Sequence, residues 1–334
     1  MRHPNPRVVL PDLYQLEIPT PFPVGPVNIY VARESDGLTL VDCGPRIPEA
    51  RAALDAGLAA LGFFAHDVRR ILVTHAHADH YGLAASIADG TGAQVFTHPF
   101  NRPTLEADDR EREQRLAFYA DLLRVSGVPE ETRCAIEQAR RGIGDYAERI
   151  PVAGDLNDGD TLTLAGREWR ALHTPGHSGG LVCLYEPQTR TLLSNDHLLR
   201  DISSNPLVEP PPPGRTERLK SLVEYISQMQ RVAAMEVSVA WPGHGEPIHD
   251  VPDLVRQRIE FHARRAGRIL ELLDGASLTA YQVARPLFPR LDPINFFLAL
   301  SEVLGHLELL AAQGRVQFAQ RDGVVIWQTT TPDS

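Results

Sequence analysis

The stretch RRILVTHAHADHYG, Arg69–Gly82, narrows the possible folds more than any other part of the chain. Three histidines and an aspartate (His75, His77, Asp79 and His80) fall within six residues, directly after the apolar run Ile71-Leu72-Val73. Such a run reads as a buried strand. A strand that ends in four ligand-type side chains must open where those side chains are needed. In extended backbone, residues at i and i+2 project to the same side. His75 and His77 therefore reach one metal ion. Asp79 and His80 follow a turn of the chain and face a second point nearby. The spacing suits two adjacent metal ions rather than one.

A tetrahedral or five-coordinate zinc ion takes more protein ligands than this stretch holds. Three later places supply candidates. HTPGHSGG (173–180) sets His177 in a glycine-rich turn, LLSNDHLL (192–199) sets Asp196 at a strand end, and WPGHGEP (241–247) sets His244 between glycines. Each is an apolar strand delivering a polar side chain at its end, with small neighbours that let backbone and ion approach closely. His244 alone would read as a surface histidine; beside the 75–80 motif it gains the weight of order and context. His98, His173 and His197 are further candidates; His197 follows Asp196 directly and points elsewhere in extended backbone, so it reads as a hydrogen-bonded structural histidine, with a partner supporting a ligand or a pocket-lining residue as the alternative. Cys43 and Cys183 lie in apolar runs and read as core residues. Tyr81 and Tyr119 carry hydroxyls able to donate to an oxyanion, but nothing singles them out.

Together, His75-x-His77-x-Asp79-His80, His177, Asp196 and His244 resemble the metallo-β-lactamase superfamily over roughly residues 12–250. Softer similarities are Asn28 within VNIY, Asp42-Cys43-Gly44 at a strand end, and Gly82 after the motif. The resemblance implies an α/β fold, an αββα sandwich with the metal site at one edge. It also implies a ligand split: His75, His77 and His177 on one zinc, Asp79, His80 and His244 on the other, with Asp196 bridging. Asn195 departs from the glycine often found before the bridging aspartate, which alters local backbone freedom but leaves the ligand set intact. The aspartate bridge points away from true β-lactamases and toward the glyoxalase II, lactonase and nuclease branches. The redox branch carries a glutamate at the place of His77 and a flavin module, and this chain matches neither.

Two divalent ions (zinc, with manganese or iron as alternatives) about 3.5–4 Å apart share a water and lower its pKa toward neutrality. The expected chemistry is attack of the resulting bridging hydroxide on a carbonyl or phosphoryl centre, with Asp79 and Asp196 as the catalytic carboxylates and Asp79 orienting the hydroxide. The leading expectation is hydrolysis of a small thioester or ester, similar to that of hydroxyacylglutathione hydrolase. An endoribonuclease or other nuclease of the same superfamily is the alternative. Lactonase, β-lactamase and a non-catalytic winged-helix regulator rank below it.

Around the motif, strands alternate with helices. VNIYVA (27–32) and LTLVDCG (38–44) flank Glu34-Ser35-Asp36-Gly37, a hairpin signal. A helix begins near Pro48 and stops at Gly62. Residues 101–150 are a helical insertion, with Leu116, Tyr119, Leu122 and Leu123 at helical spacing. They read as an amphipathic surface helix, with a lid over the site as the alternative. Strands return over 158–200, EPPPPG (209–214) is a stiff connector, and a helix spans 215–234. The chain thus divides into a catalytic domain, 1–251, and an appendage, 252–334. Helices at 253–274 and near 279–286, a further helix, and two short strands around Asp322-Gly323 resemble a winged-helix domain. A similar appendage occurs in β-lactamase-like-2 hydrolases.

Winged helices often bind DNA, and charge argues against that here. The net charge of the chain is −10, residues 294–313 contain no Lys or Arg, and residues 253–334 hold nine arginines against nine carboxylates. Phosphate binding needs clustered cations. Arg256, Glu260, Arg264 and Arg268, four apart, read as an ion-pair row on one helix face. The appendage is expected to be a packing or dimerisation module, leaving a homodimer open. Three scattered cysteines are no disulfide framework. The start has no signal-peptide core, and no run reaches the roughly 18 apolar residues a membrane span needs. The chain reads as a cytoplasmic protein with a small-molecule substrate and no membrane partner.

Overall fold

The computed structural model describes residues 6–330; residues 1–5 and 331–334, where the two expected domains begin and end, lie outside it. Seven strands form one sheet in sequence order: β1 (Arg7–Leu10), β2 (Leu13–Ile18), β3 (Val27–Glu34), β4 (Gly37–Val41), β5 (Val68–Val73), β6 (Gln94–Thr97) and β7 (Gly154–Asp155). Pairing is antiparallel from β1 to β4 and parallel from β4 to β7. Helices α1 (Pro48–Ala60), α2 (Ala78–Tyr81) and α3 (Ala84–Thr91) supply the crossovers that parallel strands require. The insertion contributes α4 (Arg102–Leu105), α5 (Asp109–Val125) and α6 (Glu130–Ile143). A second sheet, in the order β12-β11-β10-β9-β8, holds β8 (Thr161–Leu164), β9 (Arg167–His173), β10 (Val182–Glu186), β11 (Thr191–Asn195) and β12 (Val239–Pro242).

Strand β3 shows why the sheets stack. Side chains alternate between faces along a strand, and both faces of β3 are apolar. Ile29 and Val31 join Leu54, Leu58, Ile71 and Ile87 on the helix side, whereas Tyr30 and Ala32 join Trp169, Leu184, Leu193 and Trp241 of the second sheet. The outer face of that second sheet (Leu172, Cys183, Leu192) packs on α7 (Ser221–Ala233) and α8 (Val251–Leu273) through Tyr225, Met229, Leu254 and Val255. Helix, sheet, sheet and helix layers result, the αββα sandwich expected. Helix α7 starts later than the 215–234 reading because the segment after the proline run continues as irregular chain to Lys220.

Beyond α8 come β13 (Leu278–Thr279), α9 (Ala280–Leu287), α10 (Pro293–Ala312), β14 (Val316–Arg321) and β15 (Val324–Thr329); the helices and the final hairpin follow the order read from the sequence, and β13 is an added strand. The hairpin turns on Asp322 and Gly323, both at positive φ (49° and 78°), as the two-residue turn matched to strand twist requires. On α8, Glu260 pairs with Arg256 at 2.9 Å and Arg264 at 4.0 Å, within the ion-pair row expected there.

Two expectations change. The insertion is more than a surface helix: Tyr119, Leu122, Leu123 and Ile136 share one core with Ile269, Val283, Leu300, Leu307 and Trp327 of the C-terminal segment. The apolar stripe of α5 found its partner far downstream, where no local pattern points to it. Contrary to the expectation that no run reaches membrane length, one helix does. Asn295–Ala312 of α10 is long and apolar enough by length and composition, and 67% of it is buried inside the protein. It packs among α6, α7, α8 and α9. Its Glu302 and Glu308 pair with Arg265 and Arg218. It is the central core helix of the C-terminal segment.

Candidate metal centre

Strand β5 stops at Val73, and the chain leaves the sandwich edge through a bend at His75 and Ala76 before α2 begins at Ala78. His75 sits on that bend and His77, extended, precedes α2, so a bend rather than the expected extended run carries the pair; Asp79 and His80 sit on the first turn of α2. The β9–β10 loop brings His177, the end of β11 brings Asp196, and the end of β12 brings His244. These seven side chains converge. His77 Nδ1 lies 2.9 Å from both His75 Nε2 and His177 Nε2. Asp196 Oδ1 is 3.5 Å from His80 Nε2, while its Oδ2 is 3.5 Å from His177 Nε2 and 3.6 Å from His244 Nε2. Asp79 Oδ2 is 3.4 Å from His244 Nε2 and 4.0 Å from His80 Nε2. Ligand atoms lie within 4.8 Å of one another in three sets: His75, His77 and His177; His75, His80 and Asp196; Asp79, His80 and His244.

This donor set fits metal ions. A ring nitrogen offers one proton or one lone pair, so His77 Nδ1 cannot hydrogen-bond both nitrogens that crowd it. His80 Nε2 and Asp196 Oδ1 are buried without a hydrogen-bond partner among the described residues, a costly arrangement unless something else coordinates them. Imidazole nitrogens with carboxylate oxygens suit zinc, manganese or iron. Burial holds His75 and His177 below the ordinary histidine value. Burial, then neighbouring His177, brings His77 to about 3, which keeps lone pairs available. Burial opposes charge on Asp79 and Asp196, yet His80 and His244 outweigh it and hold both carboxyls below their usual range.

The next layer outward fixes how each ring is presented. His80 Nδ1 donates to Asp42 Oδ2 at 2.7 Å; Asp42 also accepts from the Thr74 N–H (2.8 Å) and the Thr74 hydroxyl (2.7 Å). His177 Nδ1 donates to Asn205 O at 2.9 Å and His244 Nδ1 to Pro26 O at 2.8 Å. Each bond selects the tautomer that leaves Nε2 free to face the centre. Asn205 in turn donates through Nδ2 to Leu298 O of α10, at 2.9 Å, so the segment that orients His177 hangs on the C-terminal core. Asn195 takes a left-handed φ of 46°, which asparagine tolerates better than most side chains. Its Nδ2 donates to Val182 O at 3.0 Å. Gly243 allows the closest approach: a Cβ there would sit 2.1 Å from Asp196 Oδ1.

The other histidines lie outside the cluster. His98 and His173 stack with ring centroids 3.8 Å apart, and His173 Nε2 donates to Gly179 O at 2.8 Å. His197 is fully buried, edge-on to Tyr225. Tyr81 is buried on α2, and Tyr119 belongs to the insertion core. Cys43 and Cys183 are buried in the core; burial pushes the Cys183 thiol up to about 12 and the Cys43 thiol higher still, so neither is a nucleophile. Reading the sequence missed Asn205 and saw Asp42 only as a similarity.

The family model described as "Metallo-beta-lactamase superfamily" matches residues 22–244, a span containing all seven converging side chains. The chain belongs to the metallo-beta-lactamase superfamily. Within the superfamily, it is 33% identical to the Bacillus subtilis (strain 168) protein "Probable metallo-hydrolase YqjP", over 95% of this chain and 98% of that one. It is a metallo-hydrolase. A metallo-beta-lactamase family protein from Thermus thermophilus superposes with a TM-score of 0.82 at 31% identity, covering 97% of this chain and 100% of that one. A protein of Aspergillus fumigatus, "Atrochrysone carboxyl ACP thioesterase", is 23% identical over 92% of this chain and 62% of its own length.

Proposed function

We propose that this metallo-hydrolase cleaves a small carboxylic thioester or ester at a centre of two divalent ions, zinc foremost. His75, His77 and His177 serve one ion, Asp79, His80 and His244 the other, and Asp196 lies between them. The observation that carries this reading is Asp196: buried, it turns one oxygen to His80 and the other to His177 and His244. The name of the fungal thioesterase relative supports an acyl thioester among the possible substrates. Bound ions supply Lewis-acid polarisation of the acyl oxygen and lower the pKa of water toward neutrality. The chain's own residues do the rest. Asp79 and Asp196, held ionised, accept hydrogen bonds from the attacking water and orient it toward the acyl carbon. The buried cluster keeps bulk water away. Water adds across the C–S or C–O bond, giving the acid and the free thiol or alcohol. Residues 1–251 form the catalytic domain in this reading. Residues 252–334 form a winged-helix-like unit that braces the His177 side of the site through Asn205.

The test is a rate comparison on zinc-loaded protein across acyl thioesters, esters, lactones and a short single-stranded RNA. Acyl cleavage that disappears on chelation, with no RNA cleavage, is the expected result. Chelator-sensitive RNA cleavage without acyl cleavage would replace this reading with the nuclease one.

A further inference from the structure

The pocket beside the metal ligands carries charge of its own. Ala76 and Gly176, chain neighbours of His75, His77 and His177, form part of its lining. Phe100 and the Pro210–Pro213 run supply apolar wall, and Arg115 of α5 and Glu209 are its ionisable groups. Glu209 is already engaged: its Oε2 accepts from the Gly179 N–H at 2.6 Å, tying the proline run to the loop that bears His177. Burial also pushes the Glu209 carboxyl above its ordinary value, against the pull of Arg115 and Arg140.

The cations are less satisfied. Neither Arg115 nor Arg140 forms an ion pair within 4.0 Å among the described residues. The Arg140 guanidinium lies 3.7 Å over the Tyr119 ring and 4.1 Å over the Phe297 ring, and its Nε has no hydrogen-bond partner there. Arg215 stands 5.9 Å over the Phe100 ring at the pocket rim. Two guanidiniums, Arg115 and Arg140, act on the one carboxylate, Glu209, in a chain whose net charge is −10. A guanidinium partly withdrawn from water without a carboxylate partner bears a desolvation cost that an anionic ligand offsets.

We propose that this pocket is the substrate subsite and that Arg115 selects substrates carrying a carboxylate or phosphate near the scissile acyl bond. The proposal rests on the metallo-hydrolase reading and names the substrate class it serves. Carboxylate and phosphate both match the two-pronged hydrogen bonding of a guanidinium. Helix α5 then has two duties along its length. Arg115 reaches the pocket, while Tyr119, Leu122 and Leu123 anchor the helix in the C-terminal core. The insertion acts as the recognising wall of the site.

The experiment compares zinc-loaded wild type, Arg115→Ala and Arg115→Lys on three substrates. Acetyl-N-acetylcysteamine is neutral, succinyl-N-acetylcysteamine puts the anion on the acyl side, and acetyl-coenzyme A puts phosphates on the thiol side. The expected result is a preference for one anionic substrate. Arg115→Ala should raise its KM by about 10- to 100-fold, the worth of a hydrogen bond to a charged group. The neutral substrate should be unaffected, and lysine should restore part of the loss. Which anionic substrate responds tells acyl-side from thiol-side recognition. Calorimetric binding of succinate and of coenzyme A to the same variants reads the subsite without turnover. Equal effects of Arg115→Ala on neutral and anionic substrates, or anion binding indifferent to Arg115, would overturn the proposal while leaving the hydrolase reading intact. Absence of any metal-dependent turnover would instead remove the hydrolase reading.

Discussion

Asp196→Ala is expected to abolish turnover and to remove at least one metal ion, with little change in the fold. The carboxylate is the one side chain whose two oxygens address different histidines, His80 on one side and His177 with His244 on the other. It is held ionised against burial by His244 and His80. Two divalent ions bring four positive charges. Without Asp196 only Asp79 remains to answer them directly, since His75, His77 and His177 are held neutral. Outer partners of metal ligands are each worth about 10- to 100-fold in affinity or activity, so loss of a shared ligand should exceed that range. The fold should survive because β11 is held by Leu192 and Leu193, which belong to cores on opposite faces of the second sheet. Metal content, turnover and thermal melting of the metal-free forms check this. A variant with full turnover would remove Asp196 from the centre.

The second large effect is expected at a residue that touches no metal. Asp42→Ala deletes the acceptor for His80 Nδ1, the Thr74 N–H and the Thr74 hydroxyl at once. Each buried donor left without a partner costs about 1–3 kcal/mol, so the metal-free protein should melt at a clearly lower temperature. His80 also loses the contact that fixes its tautomer, and metal affinity should fall by about 10- to 100-fold. Asp42→Asn keeps an acceptor and should recover part of both losses. Chelator competition and thermal denaturation read the two effects separately. Unchanged metal affinity in Asp42→Ala would mean that the His80 ring is oriented by something else.

The contrast between these residues shows what a sequence of this kind reveals. His75, His77, Asp79 and His80 were legible because their spacing is local and the geometry of a strand end converts it directly into direction. His177, Asp196 and His244 were legible because each ends an apolar strand among small residues, and the structure brings all of them together. Asp42 acts through Thr74 and His80, 32 and 38 residues away, and no local pattern encodes that pairing. The carbonyls of Pro26 and Asn205 are less legible still, since any residue could offer a backbone oxygen. The same reasoning covers the larger elements. The apolar run VNIYVA announced the strand β3 but not which layers cover its two faces, and the stripe on α5 announced only that something must cover it. Its partner, the core around α10, reads in the sequence as a lone helix before a wing because burial by distant segments leaves no periodic signature beyond apolarity.

The measurement that tests the central claim most directly is anomalous X-ray diffraction from zinc-loaded crystals at the zinc absorption edge. Two peaks about 3.5–4 Å apart, one among His75, His77 and His177 and the other among Asp79, His80 and His244, with Asp196 between them, are the predicted result. No peak in that cluster, or zinc bound elsewhere while the cluster stays empty, would contradict it.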